Sequence, residues 1–151
     1  MACLCLLVAL AGWSVTATSA APLPSLPTDT SPPYAVRPAI ILFTGDGTGW
    51  LVGPGARPVP VNGQWTRAGH IQWSIWSAEE GIGAAEIWAR TCGSLKCASN
   101  PWTGYPATVR VFDPVGDHFT RMDIYSRQGG KQVIDDFLVA GRLGWGYAGR
   151  G

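Results

Sequence analysis

The fold turns on the stretch HIQWSIWSAEEGIGAAEIWARTC, residues 70–92. Ile71, Trp73 and Ile75 alternate with Gln72 and Ser74, the period of two that sets large side chains on one face of a strand. Trp76 breaks the alternation. At that point either both faces of the strand are covered or a ring is left within reach of solvent. Glu79, Glu80 and Gly81 supply an acidic turn. From Ile82 to Thr91 the pattern is looser, with Ala85, Ile87 and Ala89 on one face and Ala84, Glu86, Trp88 and Arg90 on the other. The stretch predicts a β-hairpin and contains no reaction centre.

Working outward, the residues before the hairpin also read as extended chain. AIILFTG, residues 39–45, is β-branched and aromatic and stops at Gly45-Asp46-Gly47, a tight-turn signature. The single carboxylate of Asp46 cannot fill a calcium shell of six to eight oxygens, so the turn is the better reading. Trp50-Leu51-Val52 continues a strand. Pro58 and Pro60 then mark an edge or an irregular loop, which carries Trp65 and Arg67.

After the hairpin, Trp102 and Tyr105 lie in a turn-rich segment. ATVRVFDP and HFTRMDIYS follow, joined by the turn residues 113–117, and predict two neighbouring antiparallel strands. QVIDDFLVAG is bracketed by glycines and shorter than most helices, so it reads as a strand too. Residues 141–151 read as a frayed, Gly-rich tail, although Trp145 and Tyr147 could fold back on the sheet. About six or seven short strands with turns between them predict an all-β chain, a small antiparallel β-sandwich or barrel over residues 39–140.

The ends and the composition set the context. The chain has 151 residues, 46% hydrophobic and 14% charged, with a net charge of +1. That is enough for one buried core and gives no electrostatic reason to expect nucleic acid as a partner. Residues 1–20 carry no charge and hold an apolar run of secretory length, with Thr18 and Ala20 placed for cleavage before Ala21. A membrane anchor needs about 20 apolar residues, and Ser14, Thr16, Thr18 and Ser19 interrupt this run. The expectation is a signal peptide, no membrane span after its removal, and a secreted or envelope location. Residues 21–38, rich in Pro, Ser and Thr, read as a flexible, largely unpacked tether. Cleavage leaves Cys92 and Cys97, an even pair in an oxidising compartment, favouring a disulfide across a short loop.

Few groups suggest chemistry. No nucleophile elbow, zinc motif or phosphate-cradling loop is present, so no catalytic residue, metal site or cofactor is expected. His70 or His118 beside Asp46, Asp113 or Asp117 is the one route to a hydrolase. Asp135 and Asp136 are adjacent, which on a strand sends them to opposite faces. The informative excess is tryptophan. Trp73 and Trp88 sit in apolar strand patterns and read as core. Trp65, Trp76 and Trp102 are the candidates for contact with a glycan or a protein, since an indole ring stacks on C–H faces while its N–H takes a polar partner.

The leader, the strand ending FTGDGTG (residues 43–49), the I-x-W-x-x-W-x-A hairpin from Ile71 and the close cysteine pair form a set with VRVFDP (109–114) and FTRMDIY (119–125). Over residues 40–125 these resemble small secreted proteins of actinobacteria. The resemblance implies export and a β-rich domain and brings no activity with it. The sequence therefore predicts a secreted, non-enzymatic binding protein contacting glycans through exposed tryptophan. An inhibitor-like module presenting the loop from Cys92 to Cys97 and a hydrolase are the alternatives.

Overall fold

The computed structural model describes residues 21–28, 34–44, 48–56, 60–61, 64–65, 69–90, 101–140 and 144–150, with 60–61 and 64–65 traced as backbone. In chain order the strands are β1 (Leu26–Pro27), β2 (Tyr34–Ala35), β3 (Ile41–Leu42), β4 (Gly49–Val52), β5 (Pro60–Val61), β6 (Gln64–Trp65), β7 (Gln72–Trp76), β8 (Glu80–Ala89), β9 (Thr103–Val115), β10 (His118–Gln128), β11 (Lys131–Val139) and β12 (Trp145–Arg150). Eight of them form one antiparallel sheet in the order β12-β11-β10-β9-β8-β4-β3, with β7 also paired to β8. β1–β2 and β5–β6 are separate two-stranded ribbons. The large sheet curls into a half-barrel, so the all-β expectation holds, and a single curved sheet replaces the two layers of a sandwich.

β7 and β8 are the hairpin read from the sequence. Ser77 closes its turn: the hydroxyl accepts from the amides of Glu79 and Glu80, both at 3.1 Å, and the Ser77 amide donates to the Glu80 carbonyl at 2.8 Å. The break at Trp76 has a geometric cause. Trp73 pairs with Gly83, but Ile75 pairs with Ile82, so a β-bulge at Ser74 shifts the phase by one residue. Trp76 thereby joins Ile71 and Trp73 on the inner face, while Ile75 turns outward and is 44% exposed. The two rings need room on β8. A Cβ on Gly81 would meet Trp76 Cε3 and Val111 Cγ2 at 2.8 Å, and one on Gly83 would meet Ile71 and Trp73 at 3.0 Å. We expect Gly81→Ala to cost about 1–3 kcal/mol by overpacking, read as a lower urea midpoint at unchanged slope.

β8 organises the sheet because both of its edges are used along its whole length. One edge takes β9; the other takes β7 at residues 81–84 and β4 at residues 86–89. Beyond β9, two tight turns extend the meander. Val115 and His118 flank the loop whose Gly116 has φ 66°, so residues 113–115 belong to the strand and the turn is shorter than the sequence suggested. Gln128 and Lys131 flank Gly129 and Gly130, at φ 57° and 79°, the double left-handed geometry that glycine enters without steric cost.

The concave face is the core. Ile41, Leu51, Ile71, Trp76, Ala85, Ile87, Val109, Val111, Phe119, Met122, Ile124, Phe137 and Trp145 are all buried there. The two outer strands, β12 and β3, do not pair with each other. The seam between them is bridged by the segment expected to be a free tether. The Pro27 carbonyl accepts from Trp145 Nε1 at 2.9 Å on one edge, and the Thr28 carbonyl accepts from the Leu42 amide at 2.9 Å on the other. The Pro24 carbonyl takes Trp76 Nε1 at 3.0 Å, and Leu26 is fully buried among the core residues. Residues 24–28 are therefore packed, because a curled sheet that fails to close leaves apolar surface only an extra segment can cover. Likewise the Gly-rich tail is strand β12, paired to β11 from Val139↔Trp145 to Asp135↔Arg150.

The convex face carries the charged residues, as expected when only one side of an antiparallel sheet is packed, interspersed with apolar ones such as Ile75 and Leu138. Glu80 is not a solvated turn residue; its Oε2 accepts from Arg110 Nε at 2.9 Å, which raises the pKa of that guanidinium. Asp123 and Asp136 stand directly opposite each other on β10 and β11. Burial, and then the facing Asp136, raises the pKa of Asp123, while the Tyr125 hydroxyl bonded to it at 3.0 Å opposes the shift. The folded protein thus holds that proton more tightly than the unfolded chain. Stability falls as pH rises from the ordinary carboxylate value through the raised one. We expect Asp136→Asn to stabilise the protein by up to about 1 kcal/mol at neutral pH and to have no effect below the carboxylate range, measured by denaturation at both pH values.

Candidate functional site

At the end of the half-barrel away from the β9–β10 turn, the concave face opens into a cleft of about 670 Å³. Phe43, Thr44 and Thr48 line it from the β3–β4 side, and Phe137, Trp145, Tyr147 and Arg150 from β11 and β12. It reaches from the seam, where the sheet fails to close, across to Ala89 of β8, Tyr105 of β9 and Gln128 of β10. Phe43 reaches across to Phe137, ring centroids 5.2 Å apart and edge to face, and both rings belong to the core as well as to the cleft wall. The volume lies within the range of about 300–1,000 Å³ usual for small-molecule sites.

The chemistry of the cleft comes from Asp135. It sits on β11 between the inward residues Val133 and Phe137, and it is only 6% exposed, so a carboxylate occupies a core-facing position. Its Oδ1 accepts from Arg150 Nε at 2.9 Å and from the Tyr147 hydroxyl at 3.4 Å. Arg150 reaches it because the β11–β12 register shifts between Asp136 and Phe137, leaving Ala148 unpaired and turning Arg150 inward. The carboxylate raises the pKa of Arg150, chiefly through the hydrogen bond. Gln128 and Tyr105 complete the polar wall, with Gln128 Nε2 donating to Ser126 Oγ at 3.0 Å. The Tyr147 ring is 59% exposed and packs edge to face on Phe137 at 5.5 Å.

The three tryptophans read as contact residues are not brought together at this cleft. Trp76 is buried at 8% exposure, wedged edge to face against Trp73 at 4.6 Å and Phe119 at 5.5 Å, so it belongs to the core and is unavailable to a partner. The bulge at Ser74 is the cause. Trp102 is half-buried near the cleft rim, with the guanidinium of Arg90, a lining residue, 4.4 Å above its ring. The Trp65 side chain lies outside the described residues, as do Cys92, Cys97, Asp46 and the leader. Trp73 packs against the core, whereas Trp88 lies on the outer face over Gly104, its Nε1 donating to the Ala56 carbonyl at 3.0 Å.

The histidines do not join the cleft. His70 is exposed ahead of β7. His118 opens β10, with Nδ1 2.7 Å from Ser25 Oγ, Nε2 3.2 Å from Asp117 Oδ1, and Tyr34 stacked at 4.1 Å. Serine, imidazole and carboxylate in that order suggest acyl transfer, but the Ser25 amide donates to Asp117 O at 2.8 Å and is not available to an oxyanion. The Ser25 carbonyl accepts from Phe119 at 2.9 Å. The group is a clamp that fastens the strap of residues 24–28 to β10. Among the described residues no cluster of metal-ligating side chains occurs. No helix among them is long and apolar enough to cross a membrane.

Comparison with protein-family models, with curated proteins and with solved structures finds no match to this chain.

Asp135 and Arg150 are the residues the sequence reading missed. Asp135 left a signal, since it shares the parity of Val133, Phe137 and Val139 and interrupts an otherwise apolar face. Arg150 left none, because its orientation depends on a bulge.

Proposed function

We propose that this chain is an exported, non-enzymatic binding protein that holds a small organic ligand in the seam cleft. The observation that carries the proposal is the Asp135–Arg150 pair, a buried carboxylate held by an exposed guanidinium, on the wall of an aromatic-lined opening. A carboxylate on a core-facing position is costly, and an apolar residue there would stabilise the sheet more. Its position at an opening of ligand size supports recognition as its role. Export rests on the leader and places the protein outside the cell or in the envelope, where Cys92 and Cys97 are joined. Mass spectrometry of the exported protein tests this part: the chain begins at Ala21 and gains two hydrogens on reduction.

Amide-shift mapping of a small-molecule fragment library tests the binding. Compounds that bind move the Gln128, Phe137 and Tyr147 signals together. A library whose members bind only elsewhere, or not at all, contradicts the proposal.

A further inference from the structure

We infer that the cleft's ligand is a neutral sugar, with two neighbouring hydroxyls on the Asp135–Arg150 pair and one ring face on Tyr147; this rests on the cleft being a ligand site. Both protein donors to Asp135 end on Oδ1, and Oδ2 takes no donor from the described residues. Arg150 is bound through Nε, and its side chain is 59% exposed, so its terminal nitrogens are presented to the opening. An acceptor and a donor thus lie side by side. A hydroxyl is both donor and acceptor, and two adjacent ones can give a proton to the carboxylate while accepting from the guanidinium.

Charge and shape narrow the class further. Asp135 and Arg150 neutralise each other, which removes the incentive for a charged group at that point. Gln128 uses Nε2 on Ser126 and keeps its carbonyl oxygen as another acceptor for a hydroxyl. Tyr147 offers a flat, exposed ring, held in orientation by Phe137, against which the C–H face of a pyranose can lie. An alkyl chain in the same place would cover Oδ2 without offering a donor, and a buried acceptor left unsatisfied is unfavourable.

The test titrates isotope-labelled full-length protein with methyl glycosides of glucose, galactose and N-acetylglucosamine, and separately with the apolar dye anilinonaphthalene sulfonate. At least one glycoside is expected to shift the Gln128, Asp135, Tyr147 and Arg150 amides. Tyr147→Leu, which keeps an apolar side chain against Phe137 and whose fold is checked by its retained amide spectrum, weakens that binding about tenfold or more, and Asp135→Asn does the same. Dye binding at these amides with no response to any glycoside overturns the sugar assignment and leaves the cleft as a ligand site. If neither compound moves them, both readings fall. Sugar binding unchanged in Tyr147→Leu also overturns the assignment.

Discussion

Replacing Leu26 with alanine is expected to lower the unfolding free energy by about 2–5 kcal/mol, a large share of the roughly 5–15 kcal/mol that holds a domain together. Leu26 is 0% exposed and belongs to the same cluster as Ile41, Phe119 and Trp145. Truncation removes the transfer energy of the side chain and leaves a cavity that the fastened backbone around it cannot collapse to fill. That backbone is held at Ser25 by one bond to the Asp117 carbonyl and one from the Phe119 amide of β10, and at Thr28 by Leu42. Urea unfolding gives the measure: the midpoint drops while the slope stays unchanged. Leu23, three residues earlier and 41% exposed, is the internal control; its alanine variant changes stability by less than about 0.5 kcal/mol. An unpacked tether would make the two variants alike.

Trp145→Ala carries the other large effect, about 3–5 kcal/mol. The ring is 4% exposed, lines the inner end of the cleft, and donates from Nε1 to Pro27. Its loss empties the seam at the point where the strap, the last strand and the cleft meet. Trp145→Phe separates packing from hydrogen bonding. It keeps most of the buried area but deprives a buried carbonyl of its donor, and a cost of about 1–3 kcal/mol follows. Thermal or urea unfolding of the two variants gives the order Ala below Phe below the parent protein. A Trp145→Ala protein as stable as the parent would mean that the tail does not pack.

Both positions lie in segments whose composition pointed away from structure, and the reason is physical. Alternation along a strand is local and survives in the sequence, which is why the β7–β8 hairpin, the inward set Ala85, Ile87 and Ala89, the β9–β10 pair and the strand nature of β11 were legible. The packing of Leu26 and Trp145 depends on a sheet that curls without closing, a property of the whole chain. No window of residues 21–38 or 141–151 contains it. The same holds for the phase slips. Ser74 and Ala148 carry no mark of a bulge, yet one slip moved Trp76 from the surface to the core and the other brought Arg150 to Asp135. Attention to ring number favoured Trp65, Trp76 and Trp102. Asp135, a carboxylate in phase with Val133, Phe137 and Val139, was the better pointer to a site. The opposite directions of Asp135 and Asp136 followed from strand geometry alone.

The most direct test of the half-barrel closed by its own amino-terminal segment is native-state hydrogen exchange at the Ser25 amide. That hydrogen is bonded to the Asp117 carbonyl at 2.8 Å, inside the clamp made by His118. The account predicts protection of the same order as the central amides of β10, such as Ile124, because the strap opens only with the sheet. Exchange of Ser25 at the rate of a free peptide, with β10 still protected, would contradict it.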